Sequence, residues 1–338
     1  MSPAPTRWFT PMRRREFITL AGGMAVWPLA ALAQQRAAPV IGVLNSSGSV
    51  ESNRSGFAPQ LRRLAELGYV ESRNLTVEYR SDDQEERLAA LAADLVQRRV
   101  NVIFASGGPA ITVAKAATTS IPIIFFTGFD PVTSGFVASL NRPGGNVTGV
   151  SVLNTEVNPK RLQMLRELVP TSKLIAVLYR PTKLLTGYDV RGTIFQSAAD
   201  TLGVKLLVVD VVRPDDLEGA FAKIADARAD ALFVGAASFM FINLRAIVDL
   251  AARYKIPAVY PIREFAAAGG LASYGTNYPE AGQLAGEYLG RVLNGERPED
   301  LPVQQATKLE LVINMKTAKT LGLDVPASLL GRADEVIE

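Results

Sequence analysis

The chain predicts an α/β protein of two lobes, each a parallel sheet covered by helices on both faces, and three observations carry that expectation. Short β-branched runs alternate with helical patterns, the alternation restarts after Gly149, and the chain has a length at which one core divides in two. Of its 338 residues the first 33 read as a removable leader, which leaves 305, about twice the ~150 of a common domain.

The elements follow in order. Pro39–Leu44 is a β-branched run, and Phe57, Leu61, Leu64 and Leu67 then mark one helical face that stops at Gly68. Leu75–Tyr79 alternates at period two. Leu88, Leu91, Leu95 and Val96 form the next helical stripe, Val100–Ala105 a buried strand, Ala110–Thr118 a helix and Ile121–Phe126 another strand. Repeated strand, helix, strand units need crossover helices, and these leave parallel strands between two helical layers. After Gly149 helices are predicted at 156–169, 188–202, 215–227 and 242–253, between strands at 174–179, 205–210, 231–235 and 257–260. The tail departs from this rhythm. Gly269–Gly275 is a strand framed by glycines, a helix marked by Tyr278, Ala281, Leu284, Ala285, Tyr288 and Val292 ends near Gly295, and Leu301–Thr307 is extended. A chain of this order passes between lobes three times, near 148–151, 271–276 and 302–308, and three crossings make a hinge. The lobes are expected at 38–149 plus 276–302 and at 150–271 plus 307–338.

The leader says where the protein works. Arg13, Arg14, Arg15, Glu16, Phe17 and Ile18 precede an uncharged run from Thr19 to Ala33 that ends in Ala31, Leu32 and Ala33. A positive segment, a short apolar run and a small-residue end are the parts of a twin-arginine signal peptide, cut between Ala33 and Gln34, with Met1 or Met12 as the start. The competing reading is a membrane anchor or buried helix, for which the run is shorter than the ~20 apolar residues a span requires. Periplasmic localisation follows.

Loss of the leader removes four of the 36 basic residues and one of the 33 acidic residues, so the mature chain carries 32 of each. The formal charge of +3 on the full chain thus comes from the leader, and a nucleic-acid surface, which needs clustered excess Lys and Arg on the folded part, is not expected. Cysteine is absent, so stability rests on packing without disulfides. Histidine is absent too, which removes Ser-His and Cys-His nucleophile pairs and His-containing zinc sites. No cofactor motif is present. Pro143, Gly144, Gly145 and Asn146 form a turn with no following Lys-Ser/Thr, as a phosphate-binding loop would need. Asp82, Asp83, Gln84, Glu85 and Glu86 precede a helix, where acidic groups suit the dipole as a solvated cap.

Three long segments carry a resemblance. Phe126–Val150 (FTGFDPVTSGFVASLNRPGGNVTGV), Tyr260–Gly275 (YPIREFAAAGGLASYG) and Leu301–Gly322 (LPVQQATKLELVINMKTAKTLG) resemble signature blocks of the ABC-transporter substrate-binding family that includes tryptophan- and tyrosine-binding proteins. The similarity covers nearly the whole mature chain. What it implies is a type I periplasmic binding protein: two doubly wound lobes, a three-strand hinge, a small-molecule ligand in the cleft and an inner-membrane permease as partner.

In open parallel sheets ligands bind beyond the carboxyl ends of the strands, so the loops there hold the candidates. Ser106, Gly107, Gly108, Pro109 and Ala110 follow a buried strand and open a helix, where free N–H groups favour an anion such as an α-carboxylate. The plain alternative is a turn that binds nothing, and the resemblance, which implies a ligand carboxylate near this loop, favours function. Asp130 either pairs with a ligand ammonium or caps the next turn before Pro131. Asn45 and Ser46, with Ser47, follow the first strand as small polar groups for a ligand or for water.

From the second lobe, Tyr179, Arg180, Ser238, Phe239 and Tyr260 occupy the equivalent strand ends. Phe239 or Tyr260 would stack on a planar ligand or belong to the core. Arg180 and Lys183 stand where the family usually has an Asn-Pro-rich loop; a guanidinium there would favour an acidic ligand, or simply be solvated. Arg263 and Glu264 read as a helix start with a surface or hinge ion pair. The expected function is a monomeric receptor for an amino acid, aromatic or otherwise, or a related carboxylate, without cofactor or metal. A ligand sensor is the alternative, and a cleft hydrolase a weaker one, since hydrolysis by paired carboxylates needs two and Asp130 is the one acid placed at a strand end.

Overall fold

The computed structural model describes residues 38–338 except 153 and 183–192. The leader at 1–33 and Lys183 lie outside the described residues.

Two sheets organise the chain. The first contains β1 (Val40–Asn45), β2 (Thr76–Ser81), β3 (Val102–Ser106), β4 (Ile123–Thr127), β5 (Val147–Ser151) and the short β11 (Gln304–Gln305), in the order β11-β5-β4-β3-β1-β2. Every pairing in it is parallel. Continuous apolar runs are what such strands require, and all five residues of β4 (IIFFT) are buried. One face is covered by α2 (Ala58–Glu66) and α11 (Tyr278–Leu293), which pack Leu64, Ala285 and Leu289 against Ile41 and Val102. The other face carries α3 (Glu85–Gln97) and α4 (Gly108–Ala117), whose Leu88, Leu95 and Ile111 meet Ile103 and Phe125.

The second sheet has β6 (Leu174–Tyr179), β7 (Lys205–Asp210), β8 (Ala231–Val234), β9 (Ala258–Tyr260), β10 (Ala272–Thr276), β12 (Leu309–Asn314) and β13 (Glu335–Ile337), in the order β13-β12-β10-β9-β8-β6-β7. α5 (Asn158–Leu168), α6 (Thr193–Thr201) and α12 (Met315–Thr320) cover one face. α7 (Asp216–Asp226), α9 (Leu244–Arg253) and α10 (Arg263–Ala267) cover the other.

The chain passes from the first sheet to the second after β5, returns through α11 after β10, and crosses again between β11 and β12. The crossings are tied together. Thr276 donates its hydroxyl to the Val152 carbonyl, and Asn154 Nδ2 donates to the Tyr278 hydroxyl at 2.7 Å.

Some elements differ from the sequence reading. The helix predicted at 242–253 is α9, and a short α8 (Ser238–Ile242) that was not anticipated precedes it, separated at Asn243, whose Nδ2 donates to the Phe239 carbonyl. Residues 57–67 belong to α2 only from Ala58, because Phe57 sits at the joint with α1 (Val50–Gly56) and Pro59 restarts the helix. β12 was not anticipated as a strand, and it pairs antiparallel to β10, so the second sheet is mixed.

α11 returns to the first sheet on glycines. A Cβ on Gly286 would lie 2.7 Å from the Gln60 carbonyl oxygen and 2.8 Å from Arg63 Cβ, so the two helices touch backbone to backbone. Replacing Gly286 by leucine is expected to lower the midpoint of thermal unfolding through overpacking of about 1–3 kcal/mol. An unchanged midpoint would remove this contact from the account of stability, since glycine otherwise weakens a helix.

Candidate functional site

The carboxyl ends of β1, β3 and β4 face those of β6 and β8 across a cavity of about 1020 Å³, counting its open mouth. From the first sheet it is lined by Ser46, Ser47, Ser106, Gly107, Gly108 and Pro109, and from the second by Tyr179, Arg180, Ser238 and Phe239. Asn154 and Tyr278, which stand at two of the crossings, close its inner end.

The start of α4 supplies polar backbone groups to this cavity. Gly107 is its N-cap with φ +84, a conformation open to glycine, and no side chain caps the helix. Intrahelical bonding begins when Ile111 N–H donates to the Gly107 carbonyl, so the Gly108 and Ala110 N–H groups precede the ladder. Gly107 is also where the two sheets come together: a Cβ there would lie 2.6 Å from Ser46 Oγ and 3.1 Å from Ser238 Oγ.

Aromatic rings form an apolar part of the cavity wall. Tyr278 meets Phe126 and Phe241 edge-on at 5.3 and 5.0 Å between centroids, and all three line the cavity. None of the three was singled out from sequence, although each stands within two residues of a predicted strand end or helix start.

Arg180 joins the two sides. Its Nη2 donates to the Asp83 carbonyl at 2.6 Å, Nη1 lies 3.9 Å from Asp83 Oδ1, and the guanidinium sits 5.0 Å from the Phe239 ring centre. Its side chain is only 9% exposed, and burial pushes its pKa down against the pull of Asp83, Glu85 and Asp216. Asp83 is therefore not the solvated cap that the acidic run suggested: it also accepts from the Gly48 N–H at 3.1 Å. Glu85 from the same run lines the cavity.

Beneath the inner end lies Arg161, fully buried. Nη2 donates to the Asn154 carbonyl at 2.7 Å and to Asn158 Oδ1, while Nε and Nη1 have no partner. The guanidinium stands 5.3 Å from the Phe233 ring centre. Burial lowers its pKa to about 9, so it remains a cation at neutral pH. Asn154 and Asn158 line the cavity, which makes Arg161 the group that orients its floor. A sequence pattern gives no warning of this, because Arg161 lies on a helix whose composition reads as amphipathic.

Four candidates are placed elsewhere. Asp130 does not line the cavity; its Oδ1 accepts from the N–H groups of Val132 and Thr133 at 2.8 and 2.7 Å, the capping alternative. Tyr260 is 1% exposed and stacks on Phe265 at 4.8 Å, inside the core. Ala110 is buried within α4, contributing backbone alone, and Asn45 opens onto a neighbouring cavity. Arg263 pairs with Glu310 and Glu335 rather than with Glu264. Among the described residues that line the cavity, Glu85 is the single carboxylate, and no group of three potential metal ligands occurs among the described residues.

Two parallel-dominated α/β layers, three crossings and a cavity at facing strand ends define a type I periplasmic binding protein fold. Residues 40–337 match the family model described as ABC transporter substrate binding protein, and the chain belongs to that family, whose members are substrate-binding proteins and not enzymes. It is 26% identical over 277 residues to a tyrosine-binding protein from Clostridioides difficile, covering 81% of this chain and 78% of that one. Among solved structures it is similar to an ABC domain in complex with L-Trp from Streptococcus pneumonia, with 26% identity, a TM-score of 0.76 and coverage of 88% of this chain and 99% of that one. A conserved domain protein from Vibrio cholerae gives 25% identity and a TM-score of 0.77 over the same shares. Among the described residues no helix is long and apolar enough to cross a membrane.

Proposed function

We propose that the mature chain is a monomeric periplasmic receptor of an ABC importer that binds an amino acid, aromatic by preference, or a related small carboxylate. Residues 38–149 with 276–302 form one lobe and 150–271 with 307–338 the other, and the three crossings between them act as the hinge. The twin-arginine leader exports the protein and is removed after Ala33. The lobes close on the ligand and present the closed form to the membrane permease.

One observation carries this reading: the uncapped start of α4, beside Ser46, Ser106 and Ser238, lines one cavity together with the rings of Phe126, Phe241 and Tyr278. The ligand carboxylate accepts from the first-turn N–H groups, where the helix dipole favours negative charge. Its apolar part lies among Phe126, Phe241 and Tyr278, where edge-to-face contacts add to area burial. Arg180 bridges the lobes over the ligand instead of binding it alone. The likeness to proteins named for tyrosine and tryptophan supports an aromatic amino acid over other carboxylates.

The test is a thermal-shift screen of the chain from Gln34, followed by calorimetric titration, with aromatic and branched amino acids, aromatic acids and short organic acids. A ligand at a hundred times its Kd is expected to add about 2.7 kcal/mol of stability. If no carboxylate shifts the midpoint and turnover of some substrate is found instead, the receptor reading fails.

A further inference from the structure

Two of the three crossings pass the start of α10. β10 leaves the second sheet at Thr276, β12 enters it at Leu309, and the two pair antiparallel with Gly275 opposite Glu310. Asn277, one residue beyond β10, ties them together, its Nδ2 donating to Glu310 Oε1 at 2.7 Å. α10 packs against both strands.

Three carboxylates gather there around one arginine. Arg263 is paired with Glu335 of β13 and lies 3.7 Å from Glu310 of β12. Glu264 follows it in sequence, and its Oε2, like that of Glu310, is buried without a hydrogen-bond partner. The groups facing Glu264 are Arg263 beside it, Glu310 from β12 and Tyr278 from α11. Farther out, Arg161 acts on Tyr278, and Lys308 on Glu310. Burial, and then the charge of Glu310, push the Glu264 carboxyl above its ordinary range against the pull of its own N–H and of Arg263. A carboxylate buried without a donor is costly, and two that share a site resist ionising together.

Elements of both sheets make this burial. Glu264 and Ile262 share a wall with Pro59, Gln60 and Pro279, which belong to the two helices covering the first sheet. Movement of the lobes apart about the crossings draws those helices away and lets water reach the carboxyl. The chain has no histidine, so between about pH 5 and 7 the side chains that change charge are carboxyls held above their ordinary range. Partial burial and nearby Asp130 raise Glu156 too, but its side chain is at the surface.

We propose, resting on the receptor reading for the closure itself, that Glu264 is a proton switch on the closing of the lobes: closure takes up a proton on its carboxyl, opening releases it, and the ligand is held more tightly in acid than at neutral pH. Both forms carry the proton below the ordinary glutamate value, where closure is most favoured, and that advantage is lost as pH rises through the raised range of the closed form.

The experiment is calorimetric titration of the chain from Gln34 with L-tryptophan, whose own carboxyl and ammonium keep their charges between about pH 5 and 7, at both ends of that range and in two buffers of different ionisation enthalpy. Affinity at least about threefold higher at the acid end, with uptake of part of a proton per ligand, is the expected result. Glu264→Gln should bind equally at both ends and take up no proton, and Glu156→Gln should behave as wild type. Tryptophan binding without pH dependence or proton uptake, or a dependence that survives in Glu264→Gln, overturns the switch and leaves the receptor standing. Where Glu264→Gln does not fold, the other two chains decide: proton uptake in both supports the switch, and uptake in neither, or in the wild type alone, overturns it. If tryptophan does not bind at all, the aromatic-receptor reading fails and X-ray scattering of the chain alone decides. A smaller radius of gyration at the acid end in wild type and not in Glu264→Gln keeps the switch, and equal radii overturn it.

Discussion

A Gly107→Ala variant is expected to fold and to lose ligand affinity by at least about tenfold, or 1.4 kcal/mol. The added methyl would stand 2.6 Å from Ser46 Oγ, closer than a Cβ approaches such an atom, and 3.1 Å from Ser238 Oγ, a tight contact, so Ser46 must yield and Ser238 must give slightly. Ser46 follows β1 of the same sheet and turns aside, whereas Ser238 opens α8 beyond β8 of the other, and moving it holds the two strand ends apart. The backbone adds a penalty, because φ +84 with ψ 147 lies in a region essentially limited to glycine and costs a side chain about 1–3 kcal/mol. Calorimetric titration reads the affinity, and X-ray scattering with saturating ligand reads whether the variant stays more extended than wild type. Wild-type affinity together with a wild-type scattering curve would show that the lobes do not need this close approach.

Replacing Arg161 by methionine is expected to separate stability from binding. The guanidinium is buried with two nitrogens unpartnered and no carboxylate hydrogen-bonded to it, so its charge is a net cost that an apolar chain of similar length removes. The midpoint of unfolding should not fall. Affinity should fall by about tenfold, because the Asn154 carbonyl and Asn158 lose the donor that orients them at the cavity floor. A sign follows for pH. Burial holds the native pKa near 9, below the ordinary arginine value, so above that pH the unfolded chain binds more protons and this group adds stability as pH rises. Any advantage of the methionine variant should therefore narrow above about pH 9. A large drop in midpoint with unchanged affinity would make Arg161 a structural residue only.

The parallel layers were legible because strands such as Ile123–Thr127 are apolar up to their last residue and helices such as Glu85–Gln97 carry a regular stripe. Periodicity could not place the break at Asn243, which depends on a side-chain bond back to Phe239, nor the strand Leu309–Asn314, whose partner β10 is distant in sequence. Within the site, the strand-end rule led to Ser106, Gly107 and Arg180. It gave no access to what Arg180 grasps, since Asp83 arrives from another loop of the chain. Phe126, Phe241 and Tyr278 are chemically plain as single letters, and only their meeting in the cavity wall distinguishes them from core. Tyr260 shows the reverse: its position promised a ligand, and its ring is spent on Phe265.

The return of α11 to the first sheet sets the order in which the protein can be made. A nascent chain that has emerged as far as Thr276 holds five of the six strands of that sheet but neither the helix that covers Ile41 and Val102 nor the edge strand β11. Only α2 covers that face until α11 follows, so the first sheet completes its core after β6 to β10 of the second have been made.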